Sequence, residues 1–360
     1  MKLKLIGLVL SVTTLLTACK KNDPENQVVP IQPAKGVYVL SEGGFGGNNA
    51  TLAYRSAATG TVSGNFYLQQ NPLLSSGLGD LANDMVVYGG KMYIVMNGSG
   101  NVTVLNAQTG ALISKISFLN GTTNKSPRYA VGTKGKLFVT AYDNTVSVID
   151  TTSLSITNSI TVGPNPEGIA TTGNYLYVAN SGAFNFPDVD STVSVIDLTT
   201  LTEIKKITVG KNPNKVEVST NGDVYVSAYG NFGTIPAGIS VINSATNTLK
   251  RTLGTGFEYS HVRISGEIAY FHNNYGGSGT AKVYNTTTET IVRNEFVTDG
   301  TSITVPYGIN VDEQNGDVYI ADAKDFTSSG EVTCFDKNGV KKFMFSVSPG
   351  INPNKILFVR

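Results

Sequence analysis

A five-residue phrase recurs along the chain. Val146-Ser147-Val148-Ile149-Asp150 returns as Val193-Ser194-Val195-Ile196-Asp197 and, blurred, as Ile239-Ser240-Val241-Ile242-Asn243. Looser copies begin at Leu52, Val102, Ala281 and Val332, so successive copies start 50, 44, 47, 46, 42 and 51 residues apart. A period of that size is one supersecondary unit. Such a unit cannot bury its own apolar surface and has to stack on its neighbours. The spacing therefore restricts the chain to a repeat architecture before any side chain is given a task.

Each unit reads the same way. Runs of four to eight residues alternate apolar and polar, rich in Val, Ile, Tyr and Thr, and no segment from Gly36 onward carries a helical period. An innermost strand passes through a tight Gly turn, such as Thr133-Lys134-Gly135, to a second strand, such as Tyr175-Leu176-Tyr177-Val178. A variable loop leads to the Val-x-Val-Ile-Asp strand. Its closing Asp or Asn can bond back to its own backbone and start the next turn. A Thr/Ile-rich edge strand ends the unit. Four antiparallel strands, radially repeated, make a propeller blade. Whole blades are expected at 78–119, 126–163, 164–210, 211–254, 255–304 and 305–350. Residues 36–70 supply three strands and lack an innermost one. Ile351-Asn352-Pro353-Asn354-Lys355-Ile356 copies the blade opening Lys211-Asn212-Pro213-Asn214-Lys215-Val216. The expected fold is thus all-β: a seven-bladed β-propeller of four-stranded antiparallel blades, its ring closed where residues 351–359 pair with Gly36 to Leu40.

Residues 1–18 read as a signal peptide, 19–35 as a lipidated tether and 36–360 as the propeller. Lys2 and Lys4 precede an apolar run of 12 residues, Leu5 to Leu16, too short to span a bilayer. Leu16-Thr17-Ala18-Cys19 resembles a bacterial lipobox, which implies lipidation at Cys19; a plain secretory signal with a chance cysteine is the alternative. Lys20 to Lys35 carries Asp23, Glu25 and three prolines without apolar periodicity, as a tether does. Its acidic residues resemble surface-export signals of Bacteroidetes lipoproteins. The location expected is the outer membrane, at the cell surface, with membrane contact through the lipid anchor alone. Cys334 is the only other cysteine and reads as a small buried hydrophobe. Net charge is +1 with 15% charged residues and no basic stripe, which argues against nucleic acid.

Tyr177-Val178-Ala179-Asn180 followed by Val193 to Asp197 resembles the YVTN family of propellers, with Tyr225-Val226-Ser227-Ala228 and Tyr319-Ile320-Ala321-Asp322 as drifted copies. A narrower resemblance rests on three stretches: Gly36-Val37-Tyr38-Val39-Leu40-Ser41-Glu42-Gly43-Gly44-Phe45-Gly46, Asn83-Asp84-Met85 with Tyr93-Ile94-Val95, and Asn352-Pro353-Asn354-Lys355. These are similar to a Bacteroidetes lipoprotein family that includes the BtuG-type surface proteins, propellers that capture cobalamin over a TonB-dependent transporter. The resemblance implies a corrinoid ligand and such a transporter as partner. It assigns no individual contact.

The loops between second and third strands are long: 41–50, 180–192, 229–238, 273–280 and 322–330. They share one face with the blade-to-blade connections, and the turns of the opposite face are short. Phe45, Asn48, Phe184, Phe186, Tyr229, Phe232, Tyr275 and Phe326 lie on them. Apolar rings with amide donors and acceptors suit a large amphipathic ligand; the competing reading is that the rings pin long loops to the blades. A second set comes from the blade openings. Aligned on Pro213, one position holds Asn83, Arg128, Glu167, Asn214, Ser260, Tyr307 and Asn354. The next holds Asp84, Tyr129, Gly168, Lys215, His261, Gly308 and Lys355. These start the innermost strands and are either a ligand floor or an ion-pair network plugging the channel. From them Arg128, Tyr129, His261 and Tyr307, with Tyr142 at the end of a second strand, join the candidate ligand-binding residues.

No catalytic residue and no metal ligand is assigned, and no cofactor is required. His261 and His272 are the only histidines, and no Gly-x-Ser-x-Gly elbow exists. Asp188 with Asp190, and Asp322 with Asp325, read as solvated loop carboxylates rather than calcium ligands. The expected function is that of a monomeric surface lipoprotein, not an enzyme, which binds a large amphipathic ligand for delivery to a transporter. The alternatives are a protein-interaction or surface-layer propeller without a small ligand, and a propeller lactonase or hydrolase.

Overall fold

A computed structural model describes residues 34–274 and 280–360. Cys19, the signal and tether segments before residue 34, and Tyr275 lie outside those residues. Seven four-stranded antiparallel sheets are the blades. In each, the repeated Val-x-Val-Ile-Asp phrase is the third strand out from the axis, as in Thr145–Asp150 and Thr192–Asp197. Its alternate residues are buried on both faces because a blade is packed on two sides: Val148 belongs to one core cluster with Ile169 and Val178 of the next blade. The Asp or Asn that ends the phrase folds back. Asp150 Oδ1 accepts from the Thr152 and Ser153 N–H, and Asp197 Oδ1 from Thr199 and Thr200. Those backbone bonds hold both carboxyls below the usual range.

The innermost strands are Ala82–Tyr88, Pro127–Thr133, Pro166–Thr172, Pro213–Val218, His261–Ser265, Pro306–Asp312 and Pro353–Val359. Each touches the next, and the last touches the first, so they form a closed circle. Pro353–Val359 closes it by pairing antiparallel with Gly36–Ser41, from Gly36 opposite Val359 to Ser41 opposite Pro353. Among the described residues no other sheet mixes the two ends of the chain.

Two departures from the sequence reading concern the first two blades. The edge strand of the first blade is only Val62–Ser63, and a short helix, Phe66–Gln70, follows it. Tyr67 of that helix is fully buried beside Tyr38 and Leu105. A two-stranded hairpin, Leu119–Asn120 with Thr123–Asn124, joins the second blade to the third.

Most innermost strands carry a β-bulge in their first residues, for example between Pro213 and Lys215 and between Pro306 and Gly308. A bulge adds a residue and re-aims side chains. It lets two consecutive positions at the strand start both face the axis, where a regular strand would send one of them away.

Candidate ligand-binding site

All seven residues of the second aligned position line one axial cavity of about 110 Å³, together with His272, Glu217 and Arg263. Asn83, Arg128, Tyr307 and Asn354 of the first position line another of about 130 Å³, with Glu42, Tyr229 and Asn274. The second cavity is nearer the long loops, since Glu42, Tyr229 and Asn274 follow the second strands on that face. Gly168 and Gly308 contribute no side chain for a steric reason. A Cβ on Gly168 would stand 2.5 Å from Asn214 O, and one on Gly308 2.6 Å from Asn354 O. Those blades pack backbone to backbone.

Six of the ionisable groups at the axis pair as ions, and Lys215 and Glu42 meet neutral partners. Arg128 Nε and Nη2 donate to the two oxygens of Glu167 at 3.0 and 3.1 Å. Tyr142 Oη donates to the same carboxylate, and its ring lies 4.8 Å from the guanidinium. Burial opposes the Arg128 charge, and Glu167 together with Tyr142 and Tyr129 more than offsets it, holding the guanidinium above its ordinary range. Lys355 Nζ lies 2.8 Å from Asp84 Oδ1, and Arg263 is 3.0 Å from Glu217. Lys215 Nζ donates to Tyr129 Oη at 2.6 Å over the same ring. Burial pushes the Lys215 ammonium down, against the pull of Asp84 and Glu167. Glu42 accepts from Tyr307 Oη at 2.8 Å and Asn354 Nδ2 at 3.0 Å, and burial still pushes its carboxyl up.

His261 and His272 face each other with ring centroids 5.1 Å apart. Burial first, then the neighbouring His272 and Lys215, hold His261 well below the ordinary histidine range. Burial pushes His272 down to about 4, despite its Nδ1 contact with Pro306 O at 3.0 Å. His261 Nδ1 is 3.1 Å from Ser260 Oγ. Both rings are neutral at pH 7.

Above this floor stand the loop aromatics. Phe184 is 74% exposed and sits edge-on to Tyr142 at 5.0 Å. Phe186 and Phe232, 59% and 71% exposed, are 6.5 Å apart. Phe232 also meets Tyr229 at 5.7 Å, and Tyr229 meets His261 at 5.6 Å. Phe326 packs edge-on to Tyr307 at 5.7 Å. The loop rings and the axial floor therefore form one continuous surface, joined through Tyr142, Tyr229 and Tyr307. Phe45 projects into solvent at 92% exposure, on a bend tied down by Asp80, which accepts from the Gly46 and Asn48 N–H. The geometry does not join Phe45 or Asn48 to the floor.

Glu42, His272, Glu217 and Arg263 were not candidates from the sequence, and Asn274 entered only as one of the amides on the 273–280 loop. A readable signal existed for Glu42 and Asn274. Counting from the pairings of each innermost strand, Glu42, Tyr142, Tyr229 and Asn274 hold equivalent places just past the second strand.

Comparison with known proteins adds a family and a fold. A family model described as a domain of unknown function, DUF5074, matches residues 35–352. No curated protein matches the sequence. Among solved structures, a quinonprotein alcohol dehydrogenase-like protein from Bacteroides thetaiotaomicron superposes with a TM-score of 0.60 at 15% identity, over 90% of this chain and 78% of that one. The computationally designed Ika8 protein gives 0.55 at 15% identity, over 88% and 89%. The hydrazine synthase of Kuenenia stuttgartiensis gives 0.54 at 20% identity, over 69% and 74%. At these identities the likeness speaks to the propeller fold alone.

Proposed function

Because the chain belongs to the DUF5074 domain family, we propose a function read from its own mouth: it binds a large amphipathic ligand on the loop face, a corrinoid, without transforming it. Phe232 carries this reading. Its ring is 71% exposed, so burial does not hold it there. Its backbone is left-handed, at φ 52°, a region that costs a side-chain-bearing residue about 1 kcal/mol and favours glycine. Phe326 shares the left-handed backbone, at φ 62°, but is half-buried against Tyr307. An apolar ring kept in a strained and solvated place is explained by a partner that covers it.

The floor supports a neutral polar ligand edge. Glu42, Asp84, Glu167 and Glu217 face Arg128, Lys215, Arg263 and Lys355, four acidic side chains against four basic ones. A flat macrocycle fringed with amides meets both halves of such a site, rings with its plane and Asn and Tyr with its fringe. The sequence resemblance described above points the same way, and it extends the proposal to a lipid-anchored surface protein that delivers to a TonB-dependent transporter. A hydrolase would use the Ser260–His261 contact. However, the charged neighbour that depresses the His261 ring is Lys215, not a carboxylate that would orient it as a base.

Calorimetry with cobalamin and cobinamide tests the reading. Binding without turnover is expected, and Phe184→Ala and Phe232→Gly should each weaken it by about tenfold or more. Phe232→Gly should not lower the melting temperature, because glycine accepts that φ freely. Leu201→Ala, on the opposite face, should leave affinity alone. Absence of binding to both corrinoids at micromolar protein sinks the corrinoid assignment. Lactone hydrolysis abolished by His261→Ala would favour an enzyme instead.

A further inference from the structure

The cavity beneath the loop rings measures about 130 Å³, well below the ~300–1,000 Å³ of pockets that enclose whole small molecules. It has room for one substituent of a ligand that lies across the mouth. The chemistry of that substituent is set by what the walls leave unmet.

Asn354 Nδ2 lies 3.0 Å from each of Glu42 Oε1, Ala82 O and Asn83 O. That fixes the orientation of the amide, since the reverse would set Oδ1 against three oxygens. Its Oδ1 is buried and has no hydrogen-bond donor among the described residues. Asn274 is 5% exposed on the same cavity; its amide bonds the Tyr229 side chain, and its Oδ1 likewise has no donor among them. Glu42 receives one donor on each oxygen, where a carboxylate has room for about four. Three side chains around one small cavity thus present acceptors in excess of donors. Buried polar groups are ordinarily satisfied, and an exception calls for a missing partner. That partner must donate. It must also be uncharged: an anion would face Glu42 and the two amide oxygens, and a cation would face Arg128 and Lys215.

We propose that this cavity is a specificity subsite for a neutral hydrogen-bond donor, a primary amide arm of the ligand, and that it discriminates against a carboxylate in the same place. The proposal rests on the loop face being the ligand-binding surface. Full-length protein would be titrated calorimetrically with dicyanocobinamide, whose arms are amides, and with cobyrinic acid, the same macrocycle bearing carboxylates. The carboxylate form should bind about tenfold more weakly or worse. The gap should persist in 1 M salt, where long-range charge effects are screened within ~3 Å. Asn274→Leu should weaken cobinamide and narrow the gap. Glu42→Gln, which keeps the shape but cannot ionise against a second carboxylate, should narrow it by strengthening cobyrinic acid. Equal affinity for the two compounds, or a gap unchanged in both variants with native melting curves, overturns the subsite while leaving corrinoid binding intact. Failure of both compounds to bind removes the ligand reading and the subsite with it.

Discussion

His272 is where pH reaches the fold. Its ring is buried between His261 and the Pro306 carbonyl, near Lys215, and is pushed down from 6.5 to about 4. Above pH 6.5 the ring is neutral in both folded and unfolded chain and contributes no pH dependence. As pH falls below 6.5 the unfolded chain takes up a proton that the folded one refuses until about 4. Stability is therefore lost across that window, by about 3 kcal/mol for a shift of this size. His261, depressed in the same direction, adds to the loss. The urea midpoint should fall between pH 7 and pH 4.5, and His272→Gln should flatten that slope; a wild-type midpoint constant over the range would refute the account. Cys334 has no comparable role. Burial pushes its thiol up to about 12, so at neutral pH it is a packing group.

At the level of elements, the closing strand bears the ring. Ile356 is 1% exposed and packs in the cluster that holds Val37, Val39, Val332 and Phe345, so it ties the two ends of the chain together. Ile356→Ala should cost about 2–5 kcal/mol, read as a lower urea midpoint. Deleting 351–360 should abolish cooperative unfolding, because it frees the Gly36–Ser41 edge as well. An unchanged melting curve for the deletion would contradict closure. This strand was legible because Asn352-Pro353-Asn354-Lys355 repeats a blade opening. Val62–Ser63 and Phe66–Gln70 were not: two residues are too few to show alternation, and five are too few to show a 3.6-residue period. The same limit applies at the site. Arg128, Tyr129, His261 and Tyr307 could be read off because the repeat sends equivalent positions to equivalent places. His272 could not, since its counterparts Val95, Thr140, Ala179, Ser227 and Ala321 are small or apolar and give no hint of a ring at the axis. The unmet oxygens of Asn274 and Asn354 depend on three-dimensional pairing and leave no trace in the sequence.

For the whole molecule, the question is which way the mouth points. Lipidation at Cys19 would hold the propeller to a membrane through a segment of about 15 residues, which reaches up to ~50 Å when extended. Cys19→Ser should move the protein from the membrane to the soluble fraction, and unchanged fractionation would point to another anchor. The propeller constrains the geometry of any such attachment. Gly36 pairs with Val359 at the turn face, and the Lys35 N–H donates to Val359 O at 2.6 Å, so the described chain begins and finishes side by side, away from the long loops. A sensor chip, a fluorescent fusion or a bead coupled through either end would therefore present the aromatic crown to solution unobstructed. Coupling through Lys211 or Lys324, beside the loops, would cover it.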